Sequence, residues 1–121
     1  MNFRIPNGLR NHFENELQLS ETAFGKKELQ RAWRHLERAH VLGQSFPIEH
    51  TRAHWHMLQF AIRIKNVKEI LGQLPRLLVG GIKSFVGEIP VGNTGGANVP
   101  PLKPMEIPED LKAILDTFKE S

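Results

Sequence analysis

The chain has 121 residues, 40% hydrophobic and 24% charged, which fits one globular domain and not a disordered segment. Cysteine is absent, which excludes disulfides, thiol catalysis and cysteine-ligated zinc, and suits a reducing cytosol. The net charge of +3 arises from 16 basic and 13 acidic residues that interleave, as in "LERAH", so the clustered basic face of a nucleic-acid binder is not expected.

The start, "MNFRIPNGLRNHFENE", carries no apolar run of the signal-peptide kind, so a cytoplasmic location is expected. Asn7 is a candidate N-cap for a first helix whose stripe is Leu9, Phe13, Leu17, Ser20 and Phe24, with Gly25 as its stop. A second helix is predicted from about Lys26 to Leu42 with the stripe Leu29, Trp33, Leu36 and His40, closed by Gly43. Pro47 in "GQSFPIE" breaks the pattern. A third helix from about Glu49 to Lys65 is apolar on several faces and so reads as central, with Trp33 and Trp55 as core anchors or, alternatively, an aromatic ligand platform.

A fourth helix is predicted from Val67 to about Val79, with Pro75 inside it. No stretch reaches the ~18 uninterrupted apolar residues of a membrane span; Gln73, Pro75, Arg76 and Lys83 interrupt the nearest candidate. Glycines and prolines crowd residues 80–107, which reads as an irregular strap with no long regular element. Its segment "GNTGGAN" can form a backbone nest for an anion through Asn93, Thr94, Gly95, Gly96 and Asn98. It lacks the lysine of a Walker A loop, so the stronger reading is a strap whose Asn93, Thr94 and Asn98 hydrogen-bond the body. A last short helix follows, with Pro108 near its first position and Glu109 and Asp110 complementing its dipole. The expected organisation is one domain: a body over residues 1–79, the strap over 80–107 and a helix over 108–121.

A shift of 38 residues superposes the apolar pattern of the first two helices on that of the next two: Ala23 meets Ala61, Leu29 meets Val67 and Leu36 meets Leu74. The segment "ETAFGKKELQRAWRHLERAHVLGQ" resembles a tetratricopeptide-type repeat. The fold class expected is therefore all-α: two antiparallel, tetratricopeptide-like helix hairpins, the strap and a C-terminal helix.

Five of the six histidines fall between residues 35 and 56. His50 and His54 are four apart and share one helix face, the spacing at which two imidazoles can grip one ion. Thr51 stands where a zincin motif has glutamate, so metalloprotease chemistry is not supported. His40 lies on the inward stripe of the second helix, and an antiparallel neighbour brings it near His50 and His54. Three nitrogens with an open fourth position suit a divalent transition metal such as zinc, nickel, cobalt or iron, with Glu37 or Glu49 as an additional oxygen ligand. His35 and His56 point elsewhere. The competing reading is a set of buried histidines that hydrogen-bond one another at a helix junction.

The segments "HLERAHVLGQ", "HTRAHWHML" and "PVGNTGGANVPPLKPMEIPEDL", in this order, resemble a small bacterial family classified as a domain of unknown function, with the GNTGG segment as its signature. The resemblance implies a single-domain bacterial protein without assigned activity, with His40, His50 and His54 at positions that match histidines of the family pattern. It also implies, for some members, gene neighbourhoods for heavy-metal resistance. Two functions from different classes follow. One is a helical binding protein that holds a divalent transition metal through its histidine cluster; the other is a helical-repeat adaptor for a protein partner, with the histidines structural. No nucleophile–base pairing is visible, which points away from an enzyme, although an open metal site can activate water.

Overall fold

The computed structural model of the chain describes residues 4–86, 94–97 and 105–118, with side chains of the fourth helix described as far as residue 77. Five helices and no strand occur among these residues: α1 (Asn7–Gly25), α2 (Leu29–Gly43), α3 (Pro47–Arg63), α4 (Val67–Val86) and α5 (Glu109–Thr117). The molecule is all-α, as the periodicity predicts.

Prolines start three of the helices. Pro6 and Pro108 are the N-caps of α1 and α5, each with ψ near 140°, and Pro47 opens α3 behind an extended Phe46. A proline is harmless there, because the first helical amides have no intrahelical acceptor and its fixed φ already suits the helix. Asn7 is thus the first helical residue and not the cap, and Pro47 begins a helix as well as ending the preceding pattern.

The turns after α1 and α3 share one geometry. Lys27 (φ 61°) and Lys65 (φ 58°) are left-handed. Glu28 N–H donates to the Ala23 carbonyl and Lys27 N–H to that of Phe24; 38 residues on, Asn66 N–H donates to Ala61 and Lys65 N–H to Ile62. This is the Schellman closure, which satisfies helix-end carbonyls at the cost of one left-handed residue. The left-handed position therefore belongs to Lys27, while Gly25 is simply the last residue of α1. Lys26, Lys27 and Glu28 form the turn, so α2 begins at Leu29, the first residue of its apolar stripe, and not at Lys26.

α1 packs on α2 and α3 on α4, and α2 against α3 joins the two hairpins, while α5 lies on α2. The core is built from Leu9, Phe13 and Leu17 of α1, Leu36 and Leu42 of α2, Met57 and Phe60 of α3, and Leu111 of α5. Ser20, a polar member of the α1 stripe, is buried because its hydroxyl donates to the Ala32 carbonyl at 2.8 Å. Trp33 meets Phe60 at 5.2 Å between ring centroids, and Phe24 meets Phe60 edge-on at 5.6 Å.

Three expectations are corrected. Trp55 is no core anchor, because half of its surface is exposed (50%). Leu29, at the start of α2, is exposed as well. Gly80 and Gly81 do not end α4, which continues to Val86. A glycine keeps its N–H and costs only about 1 kcal/mol in a helix, so a pair of them weakens a helix without terminating it. Pro75 lies inside α4, as expected.

Candidate metal centre

Three residues, 44–46, separate α2 from α3, and Phe46 N–H closes the turn on the Gly43 carbonyl at 2.9 Å. The last turn of α2 therefore faces the first two turns of α3. His40 projects from the former, and His50 and His54 from one face of the latter. All three are buried, with exposures of 2%, 8% and 3% in that order. Their Nε2 atoms form a triangle with every side 3.1 Å. The ring centroids lie 4.6–4.9 Å apart, with the rings tilted or edge-on and not stacked.

Hydrogen bonds alone satisfy this triangle poorly. An imidazole nitrogen has one in-plane direction, filled by a proton or a lone pair, yet each Nε2 here faces two other nitrogens. One ion in contact with His40, His50 and His54 would take a lone pair from each Nε2, and a triangle of this size admits the ~2.0–2.1 Å contacts usual between zinc and imidazole.

The Nδ1 of His54 lies 2.7 Å from Oε1 of Gln73, a fully buried residue of α4. Burial, reinforced by the neighbouring His50 and only partly opposed by the Gln73 hydrogen bond, pushes the His54 pKa down to about 3. The side chain is therefore neutral at physiological pH, the state a metal ligand requires. The Gln73 amide nitrogen donates to Glu69 Oε2 at 2.7 Å and to the Gly95 carbonyl at 2.8 Å, and lies 3.6 Å from the Met57 sulfur.

Part of the strap closes the site. Gly95 has φ of 86°, and a Cβ there would meet His40 Cδ2 at 2.6 Å. Only glycine combines that backbone angle with so close an approach. Ala97 N–H donates to Glu69 Oε2 at 2.8 Å, and its methyl group fills the space left by Gly72 of α4. The anion met by this part of "GNTGGAN" is thus the protein's own Glu69. The contacts to the body run through the backbone of Gly95 and Ala97; Thr94 lines a cleft of about 240 Å³ with Arg34, Glu37 and Glu106. Asn93 and Asn98 lie outside the described residues.

Among the described residues, the group of potential ligands consists of His40, His50 and His54, with no carboxylate in it. Glu49 is buried in the first turn of α3. Glu37 faces the cleft, where burial raises its pKa against the opposing effects of a hydrogen bond from Trp33 and the charge of Arg34. His35 is turned away and meets Glu16 at 2.6 Å, and His56 lies outside the group. Gln73 and Glu69 are the residues that sequence reasoning missed, and Gly95, expected in the strap, was not connected with the histidines. One signal was present: Gln73 is the polar residue amid the apolar "ILGQLPRLL".

No curated protein and no solved structure matches the chain. The family described as "Protein of unknown function (DUF3703)" matches residues 7–115, from the first residue of α1 into α5 and across all three histidines, and the chain belongs to that family.

Proposed function

We propose that this protein binds a divalent transition metal through Nε2 of His40, His50 and His54. The observation that supports the reading is the triangle of three buried Nε2 atoms at 3.1 Å, which one ion would engage together while a single proton bridges only two of them. The donor set is all imidazole, which suits zinc, nickel, cobalt or iron and disfavours magnesium, calcium and manganese, whose partners are oxygens. Glu49 and Glu37 are candidates to approach the ion only if their side chains rearrange. The test is the metal content of protein purified without a histidine tag. One equivalent of a transition metal per chain supports the reading; metal-free protein that also refuses zinc, nickel and cobalt on addition overturns it.

A second reading has its own observation. Ile48, Trp55 and Ile62, seven residues apart on α3, and Val67, Leu71 and Leu74 on α4 are exposed apolar side chains. Two hairpins of tetratricopeptide-like character with such a surface suit an adaptor for a protein partner. A partner lost on Trp55→Ala or Leu71→Ala but retained in the histidine variants supports that role. No helix among the described residues is long and apolar enough to cross a membrane.

A further inference from the structure

We infer that Gln73 and Glu69 are positioning residues of the histidine site, which set the coordinating tautomer of His54 and hold Gly95 against His40. The argument begins with the orientation of one buried amide. The Gln73 nitrogen is surrounded by Glu69 Oε2, the Gly95 carbonyl and the Met57 sulfur, all of which accept. Turning the amide over would set its oxygen against a carboxylate and a carbonyl and take one donor from each, inside the protein where such losses are costly. The nitrogen therefore stays where it is, and Oε1 faces His54 Nδ1 at 2.7 Å.

An amide oxygen only accepts, so His54 Nδ1 must carry the proton. In a neutral imidazole the other nitrogen is then bare. Nε2 of His54 thus presents a lone pair to the triangle, as a metal ligand must. The order of command runs from Glu69 to Gln73 to His54, along about one turn of α4 and onto α3. Glu69 Oε2 also receives the Ala97 N–H, so one carboxylate oxygen secures both the amide and the strap segment that lies on His40. Ligand and cover are set by the same two side chains.

The tautomer part stands on the metal-free protein, while its consequence for affinity rests on the metal reading above. The test is a long-range proton–nitrogen NMR correlation of the histidine rings in metal-free protein, with zinc titration of the same samples. In the wild type, His54 is expected with Nδ1 protonated and Nε2 bare. Gln73→Ala gives a mixture of tautomers and zinc binding about 10–100-fold weaker at unchanged stoichiometry. Glu69→Gln, whose amide oxygen still accepts from the Gln73 and Ala97 nitrogens, keeps the wild-type tautomer. A wild-type His54 protonated on Nε2 overturns the inference, whether or not any variant folds. So does a Gln73→Ala protein with tautomer and affinity unchanged. The expected tautomer in a wild type that takes up no zinc strikes the metal reading alone.

Discussion

His54 combines a buried ring with a pKa pushed down to about 3. The unfolded chain, with histidine near 6.5, binds a proton that the folded chain refuses between those two values. Stability of the metal-free protein therefore falls as pH drops below about 6.5 and this contribution levels off near 3. Denaturant titrations between pH 7 and pH 5 check this, and His54→Gln should flatten the slope. Gly95 makes a second prediction at this scale. Gly95→Ala places a methyl group on His40 at a left-handed residue, and should cost about 1–3 kcal/mol and weaken metal binding. Unchanged stability and affinity would mean that the strap does not cover the site. The pairing of His50 with His54 was legible from their spacing, and that of His40 from the stripe of α2. Gln73 was not, because its partners stand 19 and 22 residues away in the chain, and only tertiary packing brings them together.

Among the elements, α5 shows which kind of interaction matters most. Arg38 of α2 links Glu16 of α1 to Asp110 of α5, at 3.1 and 2.5 Å. The hydrogen bond from Arg38 lowers the Asp110 pKa, so the pair stabilises the fold above the ordinary aspartate range and is lost as pH falls through it. Asp110 is 58% exposed, however, and solvent screens such a pair. Leu111 beside it is fully buried. Leu111→Ala should therefore cost about 2–5 kcal/mol, and Asp110→Asn under about 1 kcal/mol, as read by chemical denaturation. The reverse ranking would show that α5 docks through charge. All five helices begin within three residues of where periodicity places them, α4 at Val67 itself, but α4 runs past its expected end. Glycine punctuation was read as a stop, although a helix without proline beyond that point can absorb the glycines. The exposure of Trp55 was equally hidden, because a helix apolar on several faces does not reveal which face lacks a neighbour.

Across the whole molecule, two hairpins with the same Schellman turn, 38 residues apart, meet along α2 and α3. The junction gathers side chains from three helices and is covered by a strap segment from a fourth part of the chain. On the proposed reading an ion binds the folded state and not the unfolded chain, so it would stabilise the fold by mass action. Zinc at 100 times its dissociation constant should add about 2.7 kcal/mol to the wild type. The measurement that bears most directly on the histidine centre is a calorimetric titration of the tag-free protein with zinc, nickel and cobalt, beside the same titration of the His50→Ala/His54→Ala variant. One ion per chain in the wild type and none in the variant is the predicted result. No stoichiometric uptake by the wild type, or equal uptake by both proteins, would contradict it.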